Sequence, residues 1–266
     1  MRGPDALKKA EDNWHTDMGA WFSDGRTVLR GKDLFNELDD LSWFKYHMFG
    51  ITGKMFSDSQ INLIEKIWTL TVSYPDPRLW NNRVAALSAT AGSTGILGSS
   101  AAIGVSEAKT YGNQVSKSAI HFIKNAIEVD SEDKNLSNFL KSELRENRVI
   151  PGYGRPIIAT DERIQPLLNE AKKYALDKGP HVKLAFKIEK LLITLGYRLR
   201  MNAAGLIVAL MADLGFSENE FYYYSILAFS SGIIPCHIDA ANQKEGTFFP
   251  LNCGRLNYTG VEKRHW

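Results

Sequence analysis

Two long stretches of this chain, Val84 to Ser106 and Phe221 to Ile238, contain no Lys, Arg, Asp or Glu. Elsewhere charge is ordinary, at 23% of all residues. Each stretch is long enough to span a bilayer. The first, however, is mostly Ala, Ser, Thr and Gly and is interrupted at Gly92, Gly95 and Gly98. The second carries Tyr222, Tyr223, Tyr224, Ser225, Ser230, Ser231 and Pro235. Helices uncharged on every face also fill the centre of large water-soluble proteins. The expectation is therefore buried core helices and no membrane span. Charges follow Met1-Arg2-Gly3-Pro4-Asp5 where a secretory leader would be apolar, so a cytoplasmic location is expected.

The 266 residues suggest one large domain or a domain with a smaller companion. With 44% hydrophobic residues and a net charge of +2, disorder, collagen and coiled coil are excluded. A chain this long buries roughly 70–75% of its unfolded surface and needs no staple. Its two cysteines, Cys236 and Cys253, lack the paired spacing of a structural zinc site, and no metal is expected. No long basic run points to nucleic acid.

Helical periodicity dominates. Ser57 and Gln60 have capping-box spacing, followed by Ile61, Ile64, Ile67 and Trp68 at helical steps. Pro75 and Pro77 stop that helix. A helix is expected from Arg83 to Thr90, a small-residue turn over Gly92–Ser100, and another helix over Ala101–Tyr111. Leu136, Phe139, Leu140 and Leu144 make one apolar stripe, and Ile164, Leu167, Leu168 and Ala171 another. Ile150 to Pro156 is a loop by composition. Lys183–Leu195 is amphipathic, Asn202–Leu214 nearly all apolar, and Ser217 with Glu220 forms a second capping box. Thr247-Phe248-Phe249 is the one short strand candidate. The class is mainly α. There is no phosphate loop, dinucleotide fingerprint, zinc-protease helix or nucleophile elbow.

Five segments, in order, resemble the citrate synthase and citryl-CoA lyase family. They are Val28–Leu34 (VLRGKDL), Ala101–Ala108 (AAIGVSEA), Pro151–Arg163 (PGYGRPIIATDER), Arg200–Gly205 (RMNAAG) and Gly254–Gly260 (GRLNYTG). The resemblance implies a mainly α, citrate-synthase-like fold. It implies a dimer-forming large helical domain, about 1–103 with 210–266, and a small domain, about 104–209, bearing the Pro151–Arg163 substrate loop. It implies a homodimer that makes or breaks a C–C bond between a CoA thioester and a 2-oxo acid. In that family a carboxylate removes the α-proton and two histidines assist.

The chain departs from the pattern at the proton-handling positions. The family's first histidine aligns with Ala102, the second with Arg155, and the aspartate with Ala204. The arginine expected before the penultimate helix aligns with Ser230 or Ser231. One positioned acid or base typically contributes 10²–10⁴ in rate, about 3–5 kcal/mol. Alanine carries no proton, and arginine stays charged. Arginine still holds an anion or polarises a carbonyl.

The candidate catalytic residues are Arg155, His237 and Asp239, and the candidate substrate-binding residues Arg163, Arg155 and Glu107. Arg163 matches the family's carboxylate-binding arginine, and Arg155 is its companion in the old histidine slot. His237 with Asp239 offers a substitute acid–base pair, although such a histidine is more often hydrogen-bonded in the interior. Glu107 reads as a helix-end acceptor or a surrogate base. His47 and His121 read as packing, and Trp14, Trp21, Trp43, Trp80 and Tyr222–Tyr224 as core or dimer interface. Three functions stay open: an enzyme of altered C–C chemistry on a carboxylate-bearing substrate, with a CoA thioester as candidate; an inactive homologue binding a metabolite or partner; and a conventional citrate synthase or citryl-CoA lyase. No tightly bound cofactor is expected.

Overall fold

A computed structural model describes residues 3–72, 74–110, 112–131, 135–155, 160–247 and 252–261. Helix α1 (Pro4–Ala10) precedes an antiparallel meander of β1 (Gly19–Trp21), β2 (Thr27–Leu29) and β3 (Lys32–Asp33). Then come α2 (Trp43–Thr52), α3 (Asp58–Thr71), α4 (Trp80–Thr90), α5 (Gly95–Val105), α6 (Asn113–Ser131) and α7 (Leu136–Asn147). Next are α8 (Ile164–Lys173), α9 (Pro180–Thr194), α10 (Ala203–Asp213), α11 (Glu218–Ser230) and α12 (Ile233–Ala241). The chain divides into two compact units, Met1–Leu70 with Ile120–Tyr224, and Thr71–Ala119 with Ser225–Trp266.

In the first unit, Phe44 and Met48 of α2, Leu63, Ile64 and Ile67 of α3, Leu140, Leu167, Ile188 and Phe216 are fully buried. Helix α10 is buried on nearly every side, from Ala203 to Ala212, and packs against α9. Both capping boxes form. Ser57 N donates to Gln60 Oε1 at 3.0 Å, and Gln60 N to Ser57 Oγ at 3.3 Å. Ser217 N donates to Glu220 Oε2 at 2.6 Å, and Glu220 N to Ser217 Oγ at 3.2 Å. Lys54 Nζ joins Glu220 at 2.9 Å and reaches Gly215 O at 2.6 Å. The Arg30-Gly31 pair makes the tight β2–β3 turn, with φ of +48° and +77° at the two positions. Arg30 then donates to the carbonyls of Gly50 at 3.0 Å and Ile51 at 3.2 Å, satisfying groups that the end of α2 leaves open. The strands are shorter than the run of alternation that a sequence scan detects.

The second unit is built on small residues. Ala85, Ala102 and Ile233 form one buried cluster, and Ala86, Ala89 and Ala240 another. This overturns the expected turn over Gly92–Ser100: helix α5 starts at Gly95, with Thr94 accepting from the Leu97 amide. Glycine there is a packing requirement, because a Cβ on Gly98 would stand 2.2 Å from Ser88 Oγ and 2.7 Å from His237 Cδ2. Helix α4 begins at Trp80 rather than Arg83, and α5 ends at Val105. The uncharged runs are also not wholly core: α5 buries only Gly98 and Ala102, while Ile96 is 80% exposed. Trp14, Trp21 and Trp43 are exposed, against a core reading. His47 is exposed beside Trp43, and His121 is exposed and paired with Glu218 at 2.8 Å. Phe248 and Phe249 lie outside the described residues.

Two glycines in α5 should respond oppositely to alanine. Gly98→Ala overpacks and should cost about 1–3 kcal/mol, less the helix-propensity gain. Gly104, with nothing within 4 Å of a built Cβ, should gain about 0.5–1 kcal/mol. Differential scanning calorimetry of the two variants checks the sign.

Candidate functional site

The loop carrying Arg155 is welded to the segment before α10. Gly154 N donates to Arg200 O at 2.7 Å, Asn202 N to Gly152 O at 3.0 Å, and Asn202 Nδ2 to Gly154 O at 3.0 Å. Tyr153 and Met201 form an antiparallel bridge. Gly152 has φ of +86°, and its built Cβ would fall 2.7 Å from Gly205 Cα. Only glycine fits there. Asn202 also caps α10 by accepting from Gly205 N at 3.3 Å.

Asp161 is the centre of this arrangement. Its side chain is fully buried. Arg163 grips it through Nε at 2.9 Å and a terminal nitrogen at 2.8 Å, and the Arg163 amide adds a bond at 3.1 Å. The Ala203 amide, at the first turn of α10, donates to the other oxygen at 2.8 Å. Burial alone would raise this carboxyl's pKa, but the hydrogen bonds from Arg163 and the Ala203 amide outweigh it and hold it well below the usual range. Arg155 lies 3.9 Å from Asp161 and donates to Glu162 at 2.6 Å and to Thr160 O at 3.1 Å. The structure thus brings Arg155 and Arg163 together, each already facing a protein carboxylate.

The same unit holds a groove that sequence reading missed, about 710 Å³ in volume. Lys141 and Arg145 approach it from α7, Arg148 from the cap just after that helix, and Arg198 from the loop after α9, with Tyr197 and Leu199 beside them. No acidic residue lines it, and none of these cations has an ion pair or hydrogen bond from its side chain among the described residues. The helical spacing of Lys141, Arg145 and Arg148 was visible in the sequence; the approach of Arg198, fifty positions later, was not.

The other candidates lie in the second unit. His237 is buried, with Nε2 3.2 Å from Ser93 O and its ring over Gly98. Asp239 is exposed on the rim of a groove of about 450 Å³ lined also by Pro75, Pro77 and Cys236. Residues two apart on a helix do not face each other. The expected His237–Asp239 acid–base pair therefore does not form. Glu107 is exposed and accepts from Gln114. Ala102 is buried against Ala85 and Ile233, and Ala204 lies half-buried in the first turn of α10. No group of three or more His, Cys, Asp or Glu among the described residues is placed to hold a metal, and none of their helices is long and apolar enough to cross a membrane.

The Asp161 carboxylate has a depressed pKa in the folded chain, so its stabilisation is fully present above its ordinary value of 3.8 and is lost progressively below it. Asp161→Asn should cost about 2–4 kcal/mol at neutral pH. The variant should also lose less stability than wild type between pH 6 and pH 3, which urea melts at both pH values measure.

No family model and no curated protein matches the sequence. Among solved structures, citryl-CoA lyase from Hydrogenobacter thermophilus matches with a TM-score of 0.84 and 20% identity, over 96% of this chain and 97% of that one. ATP citrate lyase from Methanothrix soehngenii, in complex with citrate and coenzyme A, gives 0.75 and 18% over 99% of this chain but 46% of its own. Citrate synthase from Thermotoga maritima gives 0.63 and 20%, over 85% of this chain and 60% of that one. In both of these larger proteins the match spans less than two thirds of the chain. These three likenesses agree: the chain has the fold shared by citryl-CoA lyase and citrate synthase.

Proposed function

We propose that this chain is an enzyme related to citryl-CoA lyase and citrate synthase, which binds a CoA thioester and makes or breaks a C–C bond to a carboxylate-bearing partner. The observation that carries the reading is the groove of Lys141, Arg145, Arg148 and Arg198. Uncompensated cations grouped around one concavity repel one another, and they suit a ligand with several phosphate oxygens. CoA supplies those phosphates, and Tyr197 offers a ring against which its adenine can lie. The match to citryl-CoA lyase over nearly the full length of both chains supports the same class.

In this reading Arg155 holds the acid. Its partner Glu162 is 69% exposed, so a substrate carboxylate can displace it at little cost. Arg163, fixed by buried Asp161, stays in place beside it. The chemistry then differs from that of the resembled family, because Ala102 and Ala204 stand where a histidine and an aspartate are expected. Charge stabilisation by the arginines takes the larger part. Domains of about 1–103 with 210–266 and 104–209 belong to this proposal, as does a homodimer. The exposed Ile96, Leu97, Ile234 and Ile238 of the packed α5 and α12 are an apolar surface suited to such pairing.

A second reading has an observation of its own. Both arginines are already matched by Asp161 and Glu162, which suits a chain that binds CoA without turning it over. Calorimetric titration with CoA and acetyl-CoA, followed by chromatographic assay of citryl-CoA cleavage, separates the two. Arg145→Glu with Arg198→Glu should weaken CoA binding at least about 100-fold by removing charge-assisted contacts. Turnover abolished by Arg155→Ala supports the enzyme; tight CoA binding without product supports the second reading; no CoA binding at all sinks both.

A further inference from the structure

In the meander of the first unit β1 is an edge strand, with no further strand paired to it among the described residues. Phe22 N donates to Arg26 O at 2.9 Å and Arg30 N to Met18 O at 2.6 Å, and Ala20 stands opposite Val28. In an antiparallel ladder the hydrogen-bonded positions alternate. Met18, Ala20 and Phe22 therefore bond inward to β2, while the N–H and C=O of Gly19 and Trp21 point off the open edge. Among the described residues these groups have no partner.

Such edges are ordinarily blunted by charge, proline or a bulge. Met18-Gly19-Ala20-Trp21-Phe22 has no charge and no proline, and every residue in it is exposed. Trp21 is 71% exposed, and Trp14, just upstream, 90%. This edge is independent of whether CoA binds.

We propose that β1 pairs with β1 of a second copy of this chain, antiparallel about a two-fold axis at Ala20, to make one continuous sheet. The register follows from the outward groups. Gly19 of one chain falls opposite Trp21 of the other in a hydrogen-bonded pair, so all the outward N–H and C=O groups of both strands find partners. Gly19 and Trp21 share a face, and the missing Cβ of Gly19 leaves room for the ring of the opposing Trp21. No other residue at 19 does this within the fold, since a Cβ there would already lie 2.9 Å from Val28 O. Buried aromatics contribute roughly 150–250 Å² each. Trp21 and Phe22, 71% and 40% exposed, together with the strand hydrogen bonds, give the small seam that strand-to-strand pairing makes.

In this register Ala20 faces Ala20 of the second copy in a non-hydrogen-bonded pair, with Cα atoms about 4.5 Å apart. That separation lies within the roughly 4.4–6.8 Å that a disulfide spans. Full-length Ala20→Cys should therefore form a disulfide-linked dimer on mild oxidation, above the background of wild type. Asp24→Cys, also exposed but at the far end of the hairpin, should not. Trp21→Pro removes one outward N–H and the ring yet leaves the Ala20 and Phe22 bonds to β2. It should lower the mass measured by light scattering at least two-fold, whether or not the α5 and α12 surface holds a separate pair together, while circular dichroism keeps the wild-type helix content. If helix content falls, Trp21→Lys on the same edge takes its place. No cross-link above wild type, equal cross-linking at position 24, or an unchanged mass in an edge variant with wild-type helix content overturns the proposal.

Discussion

A buried carboxylate needs several donors, and Asp161 takes them from three places at once. The Arg163 side chain, the Arg163 backbone and the first amide of α10 all converge on it. Withdrawn from water and unpaired, that charge would be expensive. Paired, it ties the Asp161–Arg163 segment to the N-terminus of the most buried helix in its unit, where the helix dipole already favours an anion. The positions of Arg155 and Arg163, and of the Tyr153–Met201 bridge, follow from that tie.

The second unit solves a different problem. Where α4, α5 and α12 meet, the buried side chains are mostly alanine and glycine, so the helices have little to interlock and instead approach closely. Gly98 lets Ser88 and His237 reach the α5 backbone, and the alanine clusters close the rest. A histidine so placed is held by packing and by one carbonyl. Its ring fills the space that Gly98 leaves open.

Much of this was legible in the chain. The two capping boxes, the apolar stripes of α7 and α8 and the apolar length of α10 announce themselves through local spacing, because a helix buries a repeating face. The likeness to citrate synthase came from short ordered segments, and it agrees with the fold. What escaped were features set by distant residues. Gly92 to Ser100 read as a turn because glycine propensity is local, whereas the need for Gly98 comes from α4 and α12. His237 and Asp239 looked like a pair along the sequence, but helical geometry turns them apart. The basic groove depends on Arg198 arriving beside Lys141 and Arg148, which no local pattern encodes.

The facing glycines Gly152 and Gly205 carry one more consequence. A Cβ on Gly152 would meet Gly205 Cα at 2.7 Å, and one on Gly205 would meet Gly152 O at 2.5 Å. The two backbones therefore touch with no side chain between them to act as a cushion. Soft contacts between side chains let neighbouring elements slide by changing rotamer; this one has no rotamer to change. At this contact loop and helix move as one, so a rotation of α10 carries the backbone at Gly152 with it, three residues before Arg155.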